Sequence, residues 1–170
     1  AGTGAEATRN AVLGSREKKY KKSVRSIHLV PRVAIVDPEL AVSCPAGVTA
    51  ASGLDAIVQL IEAYLSRGAQ PATDGLVAAA LPGAVAALRR CWESPRDLEA
   101  RSAMALAALY SGICLAHAGL GAVHGLASPI GALTAVPHGV ACARMIGVSL
   151  RETAAAIAGG KGGSGAGEKN

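Results

Sequence analysis

Residues 102–143 form a run of 42 without a single Asp, Glu, Lys or Arg. A stretch of that kind has to be buried, either in protein or in lipid. Its makeup decides between the two. It is mostly Ala and Gly with Ser, Thr, Pro and three His, whereas a bilayer helix wants about 20 residues dominated by Leu, Ile, Phe and Val. The run is therefore expected to be the buried helical core of a globular domain, with no membrane association. The rest of the chain agrees. At 170 residues, 51% apolar, 2% aromatic and without Phe, the core must be packed from Ala, Leu, Val and Ile. Such small side chains suit closely approaching helices better than an aromatic-rich sandwich, so a mainly α fold follows and an all-β one is disfavoured.

The formal charge of +5 comes mostly from one place, the run Arg16-Glu-Lys-Lys-Tyr-Lys-Lys22. With Tyr20 its only aromatic, it reads as a solvated turn between strands and not as a nucleic-acid surface. The four cysteines, Cys44, Cys91, Cys114 and Cys142, contain no Cys-x-x-Cys pair; they read as reduced, structural thiols of a cytoplasmic protein. The opening Ala1-Gly-Thr-Gly-Ala-Glu6 has neither a basic nor an apolar leader region, so nothing marks export.

Along the chain, the β-branched runs 24–30 and 33–36 around Pro31 predict two short strands, a β segment ahead of the helical part. A helix over 50–66 is expected next, capped by Thr49, with Leu54, Val58, Ile61 and Leu65 on one stripe and Gly68 after its end. A second is expected from Thr73-Asp74 to Arg89-Arg90, kinked or broken at Pro82-Gly83. A third spans 97–117 and stops at Gly119-Leu-Gly121, and two shorter ones flank Val136-Pro-His-Gly139. Residues 159–170, rich in Gly, read as a flexible tail.

Chemistry can come from few residues. Asp55 and Gln59 stand four apart and so share a helix face. His124 and His138 lie in the uncharged region. A carboxylate with two imidazoles makes a three-ligand metal site with a position left for water or substrate. The competing reading is that both imidazoles are hydrogen-bonded core residues, and spacing alone leaves the two open. The loop Ala1–Glu6 could bring backbone N–H groups toward a phosphate, yet it matches neither the Walker nor the dinucleotide pattern.

Taken in order, Ala1-Gly-Thr-Gly-Ala-Glu-Ala-Thr8, Val33-Ala-Ile-Val-Asp-Pro-Glu-Leu40, Gly53-Leu-Asp-Ala56, Gly119-Leu-Gly-Ala-Val-His-Gly125 and Pro137-His-Gly139 resemble the iron-containing (group III) alcohol dehydrogenases over about residues 1–145. The resemblance implies a central piece of a two-domain enzyme. Residues 1–40 would end an α/β NAD(P)-binding domain and 41–158 would form most of an all-helical, dehydroquinate synthase-like metal-binding domain, incomplete at its C-terminal side. It implies Asp55, His124 and His138 as ligands of a divalent metal, iron or zinc, and Gly2, Thr3 and Lys21 as contacts to NAD or NADP. A small alcohol or aldehyde substrate and a homo-oligomeric parent are implied as well.

Two departures bear on that picture. Gln59 and Ser128 stand where iron members carry or often carry His, which makes Gln59 at best a weak fourth ligand and leaves a proton relay without its imidazole. The family's Gly-Gly-Gly-Ser phosphate loop has no counterpart here, so the chain alone is expected to be inactive. The implied reaction is hydride transfer between an alcohol carbon and C4 of nicotinamide. The alternatives are a metal-free reductase similar to maleylacetate reductase, or a catalytically dead helical fragment.

Overall fold

The computed structural model describes residues 3–15, 17, 18 and 20–159, and of Lys21 the backbone only. The tail expected beyond residue 159 and the loop residue Gly2 therefore lie outside the described residues. Helix α1 (Ala46–Tyr64) has two apolar faces, and that places it at the centre. Ile57, Leu60 and Ala63 enter one cluster of buried side chains, and Val58 enters another. A helix apolar on two faces must be covered on both.

One side is covered by α2 (Pro71–Glu93) and α3 (Leu98–Ala118), which pack on each other and on α1. Their contact is lined by Val77, Ala80, Ala84 and Ala87 with Ala100, Met104 and Ala107, mostly Ala, which lets the backbones approach closely. Both helices are long and apolar enough to cross a membrane by length and composition alone. The other side is covered by α4 (Ala122–Leu133) and α5 (His138–Ala158), through Val123, Ala127, Ala141 and Cys142. A hairpin, β1 (Asn10–Ser15) with β2 (Tyr20–Arg25), lies against α4 in antiparallel register from Asn10 opposite Arg25 to Ser15 opposite Tyr20.

The sequence signals for helix ends are visible where they were strong. Asp97 caps α3 by accepting from the Ala100 N–H at 3.0 Å, and Gly119, at φ 74°, ends it. Elsewhere the chain differs from expectation. Thr49 is not a cap; α1 begins after Pro45, and the Thr49 hydroxyl accepts from the Arg101 guanidinium at 3.0 Å inside the core. Pro82 does not break α2, which runs unbroken through it. The ring removes one N–H, but Pro82 sits on the exposed side while Val77, Ala80, Ala84 and Ala87 stay buried. The helix after Pro137 is not short either, at 21 residues.

The expected strands are displaced. Of residues 24–30 only Val24 and Arg25 are in a strand; Ile27–Leu29 is a 3-10 turn capped by Ser26. Residues 33–36 form no strand, and Val33 and Ile35 are 75% and 87% exposed. β-branched composition gives a segment the capacity to be a strand, but only a paired edge satisfies its backbone. That partner is supplied upstream instead, where the basic run straddles the hairpin turn at residues 17 and 18.

Candidate metal centre

Three polar residues lie along one stripe of α1: Asp55, Gln59 and Glu62, at 3%, 5% and 4% exposure. Spacings of four and three keep them on one face, and a buried polar group must be met by another. Each is. The Gln59 Nε2 donates to Asp55 Oδ2 at 3.2 Å and its Oε1 accepts from the Ser111 hydroxyl at 2.9 Å. Both ends of the amide are thus engaged by protein, and Gln59 orients Asp55.

Glu62 reaches across to the start of α4, where its carboxylate accepts from the N–H groups of Val123 at 2.8 Å and His124 at 3.1 Å. Those are free donors of a helix first turn, so a side chain of α1 caps α4. Gly121 makes room, since a Cβ there would lie 2.6 Å from Glu62 Oε1. The same carboxylate pairs with His124 Nδ1 at 2.6 Å. Nδ1 is therefore occupied, and Nε2 is left facing Asp55 Oδ1 at 3.2 Å. A carboxylate fixing the far nitrogen of a ligating imidazole is the usual arrangement behind a metal site.

His138 is the first residue of α5, and its Nε2 lies 3.6 Å from Asp55 Oδ1. The two imidazole rings are 5.6 Å apart between centroids and 61° inclined. One donor atom from each of Asp55, His124, His138 and Cys142 lies within 4.8 Å of every other. Carboxylate, imidazole and thiol within such a radius fit a divalent cation of borderline softness.

Burial alone would strip His124 of its proton, but hydrogen bonds to Asp55, Cys142 and Glu62 outweigh it and push its pKa up to about 11. Burial likewise works to raise Glu62, yet its bonds to the His124 ring and to the Val123 and His124 N–H groups hold it below the ordinary glutamate range. A cation at Nε2 must displace the imidazole proton. In the metal-free chain, the raised His124 pKa stabilises the fold fully below its ordinary 6.5 and progressively less toward 11. The lowered Glu62 stabilises above its ordinary 4.5 and is lost in acid. With chelator present, the melting temperature is therefore expected to fall as pH is raised above 6.5. Glu62→Gln should flatten that alkaline slope and weaken metal affinity by roughly 10- to 100-fold. Melts from pH 5 to 9 and a zinc titration check both.

The cluster opens into a cleft of about 860 Å³ bounded by α1, α5, the hairpin and the N-terminal loop. Thr3 lines it together with Asp55, Gln59, His124, Ser128 and His138. The loop of Thr3 is pinned by Gly4, at φ 69°, whose backbone meets that of Gly112 too closely for a Cβ on either. Lys21 pairs through its backbone with Gly14 on the hairpin, and its side chain lies outside the described residues. Glu62 and Cys142 are the participants that sequence reading missed. For Glu62 the signal was its place seven residues after Asp55; for Cys142 it was the spacing of four from His138.

The description "Fe-containing alcohol dehydrogenase family, C-terminal" matches residues 49–160 of the chain. The chain belongs to the iron-containing alcohol dehydrogenase family. The match runs past residue 145, where the motifs fade. The chain is 41% identical to an NAD-dependent methanol dehydrogenase of Bacillus methanolicus over 82% of its length and 37% of that protein's. It is 40% identical to a 1,3-propanediol dehydrogenase of Klebsiella pneumoniae, over 86% of its length and 38% of the relative's. Among solved structures it is similar to a sulfoacetaldehyde reductase from Bifidobacterium kashiwanohense in complex with NAD+. That likeness has a TM-score of 0.84 at 33% identity and covers 88% of this chain and 40% of that one. The chain thus spans about two fifths of the length of these relatives. The helical bundle is the fold expected from the family motifs.

Proposed function

We propose that this chain supplies the metal-holding part of an NAD(P)-dependent alcohol dehydrogenase acting on a small alcohol or aldehyde. The observation that carries this is the convergence of donor atoms from Asp55, His124 and His138 at the floor of a cleft, in a chain of this family. On this reading Asp55 Oδ1, His124 Nε2 and His138 Nε2 hold a divalent iron or zinc ion. Thr3, with Gly2 and Lys21, contacts the dinucleotide. Residues 1–40 belong with the cofactor domain and 41–158 with the metal-binding domain, in a homo-oligomeric, cytoplasmic parent; four free thiols support the last point.

A bound ion would supply Lewis acidity at a substrate oxygen, and a bound nicotinamide dinucleotide would supply the hydride acceptor or donor. The protein's own part is placement. Gln59 holds Asp55 by one oxygen and leaves the other toward the imidazoles. Glu62 keeps His124 from rotating. Val12, Val48, Leu115 and Val140 give the cleft an apolar wall beside the donor atoms.

The test is calorimetric titration of the metal-stripped chain with Zn²⁺. One ion per chain is expected, and none at the same concentrations in His138→Ala. Absence of binding in the unaltered chain, or an unchanged isotherm in the variant, would refute the assignment.

A further inference from the structure

We infer that Cys142 is a ligand of the same ion, so that the centre is a four-donor Asp–His–His–Cys site and not the three-donor one read above, on which this inference rests. Cys142 follows His138 by one helical turn on α5, so thiol and imidazole project from the same face. Its side chain is fully buried, and Sγ lies 3.8 Å from His138 Nε2. The donor atoms of all four residues fall within one 4.8 Å limit.

Tetrahedral geometry sets what those separations must be. Bonds of about 2.0 to 2.1 Å to nitrogen or oxygen and about 2.3 Å to sulfur put neighbouring N and O donors about 3.3 Å apart, and N and S about 3.6 Å apart. The observed pairs are 3.2 Å for Asp55 with His124, 3.6 Å for Asp55 with His138, and 3.8 Å for His138 with Cys142. These three pairs lie within a few tenths of an ångström of tetrahedral separations, and the remaining three lie within 4.8 Å.

The fourth corner has no other claimant on α1. Gln59, one turn after Asp55, has its carbonyl oxygen bonded to Ser111 and its amide bonded to Asp55. Helix α1 thus offers the ion one oxygen only, and the fourth donor comes from α5. Ligation breaks the S–H bond and forms a sulfur–metal bond, with the proton leaving to solvent, since a coordinated thiol is deprotonated outright. The chemistry of the set changes accordingly. Thiolate with two imidazoles selects zinc or cobalt over a harder cation. Four protein donors also close a tetrahedral ion, so a substrate oxygen must enter as a fifth ligand.

Cobalt(II) reads this directly. The metal-stripped 170-residue chain is titrated with Co²⁺ and followed from the near-ultraviolet to the visible. One equivalent is expected to give intense tetrahedral d–d bands together with a near-ultraviolet sulfur-to-cobalt charge-transfer band. Cys142→Ser and Cys142→Ala should keep d–d absorption and lose the charge-transfer band, while Cys44→Ser keeps both. Zinc affinity should drop roughly 10²- to 10³-fold in either Cys142 variant. X-ray absorption of the zinc-loaded, unaltered chain needs no variant and should show one sulfur at about 2.3 Å. Visible bands without charge transfer, and no sulfur in the zinc shell, would leave the three-donor reading standing and overturn this one. A charge-transfer band that survives in both Cys142 variants overturns it as well. No stoichiometric cobalt binding at all would overturn both.

Discussion

Asp55→Ala is expected to lower zinc or cobalt affinity by roughly 10²- to 10³-fold, one ligand's share of a site worth about 10 to 16 kcal/mol. The reason is its position between the other groups. Asp55 Oδ1 faces both imidazoles, at 3.2 and 3.6 Å, while Oδ2 takes the Gln59 amide. Its removal takes away the anionic ligand and leaves the Gln59 Nε2 without its acceptor, so Gln59 loses orientation too. Asp55→Asn keeps the volume and should lose nearly as much, because the charge and one acceptor go. Competition with a chromophoric chelator measures both variants. A drop of less than about fivefold, small against one ligand's share, would place the ion's centre elsewhere.

Gly139→Ala is expected to damage fold and site together. A Cβ at Gly139 would overlap the Ala51 carbonyl oxygen, sit 2.6 Å from its carbon and press on Asp55 Cβ at 3.2 Å. Backbone cannot give way as a flexible side chain would, so the start of α5 must move off α1. Overpacking of this kind costs typically 1 to 3 kcal/mol and occasionally more; with backbone as the obstacle we expect about 3 kcal/mol or above, a fall of roughly 6 to 12 °C in melting temperature. His138 and Cys142 move with α5, so metal affinity should fall at least tenfold. Gly147→Ala is the control on the same helix, since its Cβ meets only the tip of Arg151 at 3.9 Å. It should be neutral or stabilise by up to about 1 kcal/mol. Equal melting temperatures for the two variants would disprove the close-contact argument.

How much was legible in the sequence differed by residue. The helices were, because small apolar residues at three- and four-residue steps leave little choice, and Asp97 and Gly119 act through their own side chain or its absence. Pro82 misled because its effect depends on which side of α2 faces solvent, and Thr49 because the cap preference is local while its partner, Arg101, is 52 residues away. The strands misled for the same reason: residues 33–36 have strand composition, but pairing is decided by what lies alongside. At the site, the Asp55, His124 and His138 triad emerged from family motifs, whereas residue types alone left it open. Glu62 shows its role only once α4 is seen to begin on it. Cys142, inside an apolar helix, reads as core.

The span of the Glu62 contacts bears on the order of folding. The bonds from Val123 and His124 to Glu62 close loops of 61 and 62 residues, and that from His124 to Asp55 closes one of 69. Most of that interval is α2 and α3, whose contacts with each other are local by comparison. Closing such loops costs entropy that only later packing returns, and contacts of high sequence separation form late. Until α4 docks, the carboxylate of Glu62 stays in water and the first turn of α4 has no cap. The capacity to bind metal is therefore absent until α4 and α5 dock on α1, and it is lost whenever either one opens.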